Sequence, residues 1–185
     1  METEKNLLRA IAGESMARNK YTFFASAARK EGFEQIAAIF EETADNEKEH
    51  AKRLMKLLKG GEKSFLENYD FPKVEKTVVN LEDAAAGENW EYTEMYPGFE
   101  KVARAEGETE AAGVFKEIAE VEERHEKRYL KLKENIKKGQ VFKRDSLVLW
   151  KCRNCGYVHK GKEAPKICPA CAHPQAFYEL LCENY

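Results

Sequence analysis

Apolar side chains recur at alternating spacings of three and four through most of the first 138 residues, which is the period of a helix with one buried face. We predict four helices, over residues 3–30, 32–59, 80–105 and 108–137. Glycines mark the breaks between them, at positions 32, 60, 61 and 107. The first and second helices are joined tightly, as are the third and fourth, so each pair should form an antiparallel hairpin.

The connection between the two hairpins, residues 60–79, is too long for a tight turn. A crossover along the length of a four-helix bundle needs about that many residues, and bundles with one such crossover are the ferritin-like ones. An up-down-up-down bundle is the alternative topology. The sequence favours a mainly α fold, with a ferritin-like four-helix bundle and a long crossover.

The end of the chain differs in character from the helical region. Residues 148–185 contain all five cysteines and three of the five prolines. Gly139 is a typical helix stop. We therefore predict a helical domain over residues 1–138, a linker over 139–147 and a small metal-binding domain over 148–185.

Each predicted helix carries a glutamate within its apolar face, and these are Glu14, Glu47, Glu88 and Glu122. In the second and fourth helices a histidine follows three residues later, at His50 and His125, a spacing that puts both side chains on one face. Burying unpaired carboxylates is costly, and no lysine or arginine lies on these faces, although Arg18 is near enough to remain a candidate for the compensating charge. Metal ions would supply the missing charge, and mixed carboxylate and imidazole ligands favour iron or manganese.

The two hairpins look like copies related by a pseudo-twofold axis. The glutamates of the first and third helices are 74 residues apart, and the Glu-x-x-His pairs of the second and fourth helices are 75 apart. Glu91 breaks this symmetry, because its counterpart Ala17 cannot bind a metal. We therefore predict five carboxylates and two imidazoles around two metal ions, with Glu94 in solvent. Pro97 removes a backbone N–H and predicts a kink in the third helix.

Two tyrosines lie about two helical turns beyond the glutamates of the first and third helices, at Tyr21 and Tyr96. Both plain core packing and a hydrogen bond to a ligand carboxylate are compatible with this spacing.

The cysteines form a second candidate metal site. Two C-x-x-C pairs separated by twelve residues supply four thiolates, from Cys152, Cys155, Cys168 and Cys171. Spacing leaves zinc and iron open, and we favour iron because a one-electron centre beside a paired redox site forms a working pair. Cys182 is left over and is expected to be a small buried side chain. We expect His159 and His173 to be loop residues rather than ligands.

Composition narrows the function classes. A formal net charge of −2, from 31 basic and 33 acidic residues, argues against a general attraction to nucleic acid. No segment has the length of apolar sequence that a membrane span needs, and the charged start lacks the features of a secretory signal. We expect a cytoplasmic protein, where paired cysteines indicate metal rather than disulfides.

Taken together, the motifs "GES…Y", "EKEH", "GENWEYTEMYP", "EERH" and "CRNCG…CPACAHPQ" resemble those of the rubrerythrins over nearly the whole chain. The resemblance implies a ferritin-like di-iron bundle followed by a small rubredoxin-like β domain with one iron. It also implies a peroxidase that reduces hydrogen peroxide to water in defence against oxidative stress. By position, the di-iron ligands would be Glu14, Glu47, His50, Glu88, Glu91, Glu122 and His125.

The resemblance also implies how such a protein would work. One iron exchanges Glu91 in the oxidised state for His50 in the reduced state, and Tyr21 and Tyr96 hydrogen-bond ligand carboxylates. Electrons would come from a rubredoxin and an NAD(P)H-dependent flavoprotein reductase. The family forms homodimers, some with exchanged helices. Unlike free rubredoxins, which usually have Gly after the last cysteine, this chain has Ala172.

Two rival functions use the same residues. Iron oxidation and storage, as in ferritins, needs the bundle but has no use for an attached electron-transfer unit. A zinc ion in the cysteine site would leave a di-iron protein that an external donor serves directly.

Overall fold

The computed structural model describes residues 1–69 and 71–184. Five helices come first, α1 (Glu2–Lys30), α2 (Glu34–Met55), α3 (Thr77–Trp90), α4 (Tyr96–Ala105) and α5 (Thr109–Lys137). A five-residue π-helical turn, Glu91–Met95, joins α3 to α4 into one continuous helix. Three strands follow, β1 (Lys143–Cys152), β2 (Val158–Glu163) and β3 (Tyr178–Leu180).

The helices pack as two hairpins, α1 with α2 and the α3–α4 helix with α5. The crossover between them follows α1 along its length. Near the start of α1, Arg9 Nε lies 2.6 Å from Glu67 Oε2, and just beyond its end Glu31 Oε1 accepts a 2.7 Å hydrogen bond from the backbone N–H of Thr77. The connection thus runs from one end of the bundle to the other, which confirms the ferritin-like topology and rules out the up-down-up-down alternative.

Two of the predicted helix bounds needed correction. The second helix ends at Met55, four residues before the predicted end, and residues 56–58 continue as turns. The third begins at Thr77 rather than at residue 80. Its first turn is stabilised by Glu31, an acidic group at a helix N-terminus, and by the side chain of Asn80, which exchanges two 2.8 Å hydrogen bonds with the backbone of Glu75.

The bundle core consists of two apolar clusters with a polar layer between them. One cluster includes Tyr21, Phe24, Phe40, Leu81 and Tyr129, and the other includes Leu7, Leu54, Tyr96, Phe115 and Ile118. In sequence, the glutamates and histidines of the predicted site fall between these two sets on every helix. The apolar clusters therefore fix the helices on both sides of the charged layer.

The remaining part of the chain forms an antiparallel three-stranded sheet in the order β2-β1-β3. Its small core contains Trp150 and Tyr178, and Trp150 is paired with His159 on one neighbouring strand and Leu180 on the other. The rings of Phe33 and Phe142 stack with centroids 6.3 Å apart, so the sheet unit contacts the turn between α1 and α2. The fold class predicted from the sequence is confirmed.

The predicted domain boundaries stay predictions. β1 begins at Lys143, inside the predicted linker of 139–147, although its pairing with β2 is irregular before Val148. Among the described helices, none combines the length and the apolar character needed to cross a membrane.

Candidate metal centres

Six of the predicted ligands meet in the polar layer of the bundle. They form two overlapping sets, Glu14, Glu47, His50 and Glu122 in one and Glu47, Glu88, Glu122 and His125 in the other. Within each set, one donor atom per residue lies within 4.8 Å of the others. Because Glu47 and Glu122 belong to both sets, they would help to hold both metal ions, and one glutamate and one histidine would complete each position.

Each imidazole stands among carboxylates from three helices. His50 Nδ1 lies 2.9 Å from Glu47 Oε2, 3.0 Å from Glu122 Oε1 and 3.7 Å from Glu14 Oε2. His125 Nδ1 lies 2.7 Å from Glu122 Oε2, 3.4 Å from Glu47 Oε1 and 3.8 Å from Glu88 Oε1. The two arrangements repeat the pseudo-twofold pattern of the sequence, with Glu14 and Glu88 in equivalent places.

The donor atoms of this layer are left without ordinary partners. Although some of them lie close to one another, several buried side-chain atoms of the described residues make no well-directed hydrogen bond, and these include Glu14 Oε2, Glu47 Oε1, Glu88 Oε2, both carboxylate oxygens of Glu122, and His125 Nδ1. Each such atom costs about 1–3 kcal/mol if nothing compensates it. Arg18 lies exposed, outside the layer, and does not provide the compensation. Four carboxylates and two imidazoles that point into one space fit two iron ions.

Burial and the neighbouring charges shift the pKa values of the carboxyl groups in the layer. Burial raises the pKa of Glu14 well above its usual range, and it raises the pKa of Glu88 to about 8. Burial would also raise the pKa of Glu47, but the imidazoles of His125 and His50 beside it lower it to about 2. Burial thus favours the neutral form of Glu14 and Glu88, whereas the two imidazoles favour the charged form of Glu47.

The pKa values of both histidines are raised, which is opposite to the effect that burial alone would have. Burial alone would lower the pKa of His125, but its contacts with Glu122, Glu47 and Glu88 raise it to about 12. The pKa of His50 is likewise raised, against the effect of burial, by Glu122, Glu14 and Glu47. Both rings thus attract a positive charge at neutral pH, the charge that a metal ion would supply instead.

The two tyrosines each donate a hydrogen bond to a glutamate of the opposite hairpin. Tyr21 Oη donates to Glu88 Oε1 over 2.5 Å, and Tyr96 Oη donates to Glu14 Oε1. Burial, followed by the nearby carboxylates, raises the pKa of both phenols well above the usual value. Both tyrosines therefore stay protonated as donors and orient the two terminal carboxylates.

The π-turn explains the change of offset between the hairpins. Tyr21 follows Glu14 by seven residues, whereas Tyr96 follows Glu88 by eight, yet both hydroxyls make equivalent contacts. The extra residue is taken up where the N–H of Tyr96 bonds to the carbonyl of Glu91, five residues earlier. The irregularity that Pro97 predicted is thus a π-turn immediately before the proline.

Glu91 is the one predicted di-iron ligand that joins neither set of four. It is the first residue of the π-turn. Burial raises the pKa of its carboxyl well above the usual range, and Glu14, Glu88 and Glu122 raise it further, so the carboxyl lies near the layer. Glu94 is exposed, as expected. In this structure His50, rather than Glu91, completes the first set.

Several polar residues next to the layer were not found from the sequence. Asn89 Nδ2 and Tyr92 Oη each donate a 3.0 Å hydrogen bond to the carboxylate of Glu126, which ties the π-turn to α5. Tyr129 is fully buried, with its ring centroid 5.5 Å from that of Tyr21. Isolated polar residues such as Asn89 and Glu126 form no repeating pattern that the sequence could reveal. The spacing of Tyr129 is that of any residue on the apolar face of its helix.

The second centre is made of the four predicted cysteines, whose Sγ atoms all lie within 4.8 Å of one another. The Cys152–Cys171 and Cys155–Cys168 sulfur pairs are 3.8 and 3.7 Å apart, which is far too long for disulfides. The N–H of Gly156 bonds to the carbonyl of Cys152, and the N–H of Ala172 bonds to that of Cys168, so the two C-x-x-C loops are built alike.

The thiol pKa values of Cys171 and Cys155 are shifted in opposite directions. The backbone N–H of His173 lowers the pKa of Cys171 to about 6. The backbone N–H of Tyr157 also lowers the pKa of Cys155, but hydrogen bonds to neighbouring sulfurs outweigh it and raise the value to about 12. Four converging sulfurs, with backbone N–H groups directed at Cys155 and Cys171, suit a tetrathiolate metal site.

Three other residues of this region were assessed from the sequence. Cys182 is exposed, so the expectation that it is buried was wrong, because the chain leaves the sheet after β3. His159 lies on β2 rather than in a loop. His173 packs its ring against Phe177 with centroids 4.7 Å apart. Neither histidine belongs to a set of candidate ligands.

Comparisons with known proteins cover both units. Residues 5–133 match the family model described as "Rubrerythrin", and residues 150–179 match "Rubrerythrin, rubredoxin-like domain". A rubrerythrin of Nitratidesulfovibrio vulgaris is 55% identical over 183 residues, which cover 99% of this chain and 96% of that protein. A nigerythrin solved in a mixed-valence state is 37% identical, with a TM-score of 0.65, over 97% of this chain and 86% of the other.

A bacterioferritin of Desulfovibrio desulfuricans, whose di-iron site was solved in different catalytic states, resembles the bundle. It is 25% identical, with a TM-score of 0.69, over 75% of this chain and 82% of that chain. The carboxylate and histidine layer fits a di-iron centre, and the four-cysteine site fits a rubredoxin-like iron site.

Proposed function

The chain belongs to the rubrerythrin family, and from that premise we propose that it is a peroxidase that reduces hydrogen peroxide to water. The observation that carries the proposal is the presence, on one chain, of a layer that fits two iron ions and of a four-cysteine site that fits a third. The first can supply two electrons to a substrate, and the second transfers one electron at a time. Reduction of one hydrogen peroxide to two waters consumes two electrons and two protons.

We propose that the residues of the layer hold and orient the site. When bound, the iron pair supplies Lewis acidity and the two electrons. Glu47 and Glu122 would hold the pair together as bridges, and Glu14 with His50 and Glu88 with His125 would complete the two positions. Tyr21 and Tyr96 fix the terminal carboxylates through their hydroxyls, across the two hairpins.

We further propose that His50 and Glu91 alternate as ligands. His50 belongs to the first set of converging side chains, and Glu91 is the first residue of the π-turn, with its carboxyl close enough to the layer for Glu14, Glu88 and Glu122 to raise its pKa. A π-turn is a short irregularity within an α-helix, and such turns are frequent at functional sites. Glu91 is therefore the carboxylate that is best placed to approach or leave one iron with small backbone changes.

Electrons would enter through the cysteine unit. Cys155 is exposed at the surface, so a small protein donor can approach its sulfur. We propose a rubredoxin as that donor, supplied by an NAD(P)H-dependent flavoprotein reductase. The homodimer and the cytoplasmic location stay predictions.

Iron oxidation and storage is the second candidate, because the bundle resembles that of a bacterioferritin. The attached cysteine site argues against storage, which needs no input of electrons. Size measurement of the iron-loaded protein separates the two, since storage requires a hollow multi-subunit shell with a mineral core.

The test of the proposal uses fully reduced, iron-loaded protein under anaerobic conditions. Mixing with stoichiometric hydrogen peroxide should reoxidise the protein much faster than mixing with air-saturated buffer, as followed by visible absorbance. Comparable rates for peroxide and dioxygen would contradict a peroxide-selective site.

A matched pair of variants tests the exchange of ligands. Glu91→Ala should keep its helical content and bound iron but lose turnover with peroxide by about 10–100-fold, the usual loss for a group that tunes a metal site. Glu94→Ala, three residues away and exposed, should behave like the parent. Full activity in Glu91→Ala would rule out the alternation.

A further inference from the structure

A groove of about 480 Å³ lies between α2 and α5 and reaches the polar layer. It follows one face of α5 for about three turns, from Thr109 to Val121, and His50 and Arg53 of α2 form the facing wall. Val121 and Ile118 mark its inner end, because they lie next to Glu122 and one turn from it in sequence.

The groove meets the layer at its most accessible residue. The side chain of His50 is 14% exposed, compared with 4% for His125 and 0–1% for the four glutamates of the two sets. Among these six residues, a small molecule from solvent therefore meets His50 first. The groove that contains His50 is the direct path to the first set of ligands.

The walls of the groove suit a small neutral molecule. Gly113, Val114, Ile118 and Val121 give it an apolar inner surface. Arg53 Nη2 and Glu110 Oε1 form a 2.8 Å ion pair across it, so these two charges largely cancel. Of the other charged groups in the lining, Glu117 is negative and exposed, and His50 is paired with the carboxylates of the layer, so an anion would find no unpaired cation there.

Gly113 keeps part of this wall free of side chains. A Cβ atom added there would meet nothing within 4 Å, so the space beside it is open. Glycine inside a helix costs about 1 kcal/mol relative to alanine, and local packing does not require it at this position. Because Gly113 has no side chain, the groove is wider at this position, which lies one helical turn before Glu117.

We propose that this groove is the entry path of the oxidant, and that Gly113 and Val121 set the size of the molecule that can reach the His50 side of the layer. The substrate class is a small, neutral hydroperoxide. The identity of the oxidant rests on the proposed peroxidase function, whereas the path itself does not.

The test narrows and widens the groove in the iron-loaded protein. Gly113→Phe and Val121→Phe should each slow the association of nitric oxide, a small neutral probe of ferrous iron, by about tenfold, equivalent to a barrier about 1.4 kcal/mol higher. Reoxidation by hydrogen peroxide should slow in proportion. Gly98→Phe is the matched control, because Gly98 is also a helical glycine with open space around its Cβ and lies outside the groove.

Val121→Ala tests the same path by widening the groove instead of narrowing it. It should raise the rate with tert-butyl hydroperoxide relative to hydrogen peroxide, because the bulky substrate gains most from a wider path. Iron content and circular dichroism identify variants that fold and load normally, and Val121→Ala decides the matter if either phenylalanine variant does not.

Two outcomes would overturn the proposal. One is unchanged nitric oxide association in folded, loaded Gly113→Phe and Val121→Phe, and the other is an unchanged substrate ratio in Val121→Ala. Failure of the peroxidase function is recognised separately, since parent protein would then react no faster with peroxide than with dioxygen while the nitric oxide rates still report on the path.

Discussion

The two candidate metal sites of this chain are assembled in opposite ways. The carboxylate and histidine layer draws its six converging residues from four helices, between Glu14 and His125. The cysteine site draws four residues from two short loops, between Cys152 and Cys171. One site depends on the packing of the whole bundle, and the other depends on local chain geometry.

The difference extends to how each site affects stability. The layer lies between two apolar clusters that hold the helices on either side, so the bundle has a core that does not depend on metal. The sheet unit has a small core of five buried residues, two of which are the candidate ligands Cys152 and Cys168. A small unit of this kind usually needs a metal ion or a crosslink to stay folded. Metal therefore organises charge in the first site and supports the fold in the second.

The largest expected effect comes from Glu122→Gln, which changes one of the two carboxylates that belong to both ligand sets and are proposed as bridges. An amide is a poor bridging ligand, so we expect loss of the iron pair and of peroxide turnover, with the cysteine iron retained in metal analysis. The iron-free variant should keep the helical content of the iron-free parent in circular dichroism, because the apolar clusters on both sides of the layer hold the helices.

Glu123→Gln is the control for this prediction, since Glu123 is an exposed neighbour paired with Lys127. It should retain iron and turnover. Retention of both irons by Glu122→Gln would contradict the bridging role.

A second large effect is expected from Cys168→Ser, which removes a buried sulfur of the cysteine site. The variant should lose the iron–thiolate absorbance and the order of the sheet unit, and with them reduction by rubredoxin. The bundle should remain helical and, once reduced chemically, should still be reoxidised by peroxide. Stopped-flow absorbance and circular dichroism measure the two parts separately.

Cys182→Ser is the matched control, because Cys182 is exposed and outside the cluster. It should behave like the parent. Metal analysis of the parent protein belongs to the same experiment, because zinc in place of iron would remove the electron-transfer role of this site.

The smallest effect concerns Ala172, which has a left-handed backbone with φ of 58°. That conformation costs an L-residue about 1–2 kcal/mol, and glycine adopts it freely but loses about 0.5–1 kcal/mol more chain entropy. Ala172→Gly should therefore stabilise the sheet unit by about 0.5–1 kcal/mol, with no effect on the bundle. Thermal loss of the thiolate absorbance measures it.

Ala170→Gly gives the comparison at a residue that has no positive φ. It should leave the sheet unit slightly less stable. A loss of stability in Ala172→Gly would mean that the Ala172 side chain makes a favourable contact that outweighs the strain.

Much of the site could be predicted because its signals are periodic. A glutamate on each apolar face and two Glu-x-x-His pairs identified six residues that the structure brings together, and the paired C-x-x-C spacing identified the four cysteines. Helical spacing determines which side chains share a face, and that relation survives folding. The same reasoning wrongly predicted that Cys182 is buried, because no repeating sequence pattern indicates that a residue just after a strand is exposed.

The arrangement of the hydrogen-bonding shell could not be predicted in this way. Spacing placed Tyr21 and Tyr96 near the layer, but only the packed bundle decided that each donates to the glutamate of the other hairpin. Likewise, the shift of one residue between the repeats was visible in the sequence, while its absorption by a π-turn was not.

The sequence by itself determined the fold class, the four-cysteine motif and the faces that carry ionisable groups, because these follow from local periodicity and spacing. Tertiary structure alone decided which carboxylates are shared between the two positions, that His50 rather than Glu91 completes the first of them, and that a groove opens beside His50. These features depend on distances between helices far apart in the chain, and packing rather than local propensity sets those distances.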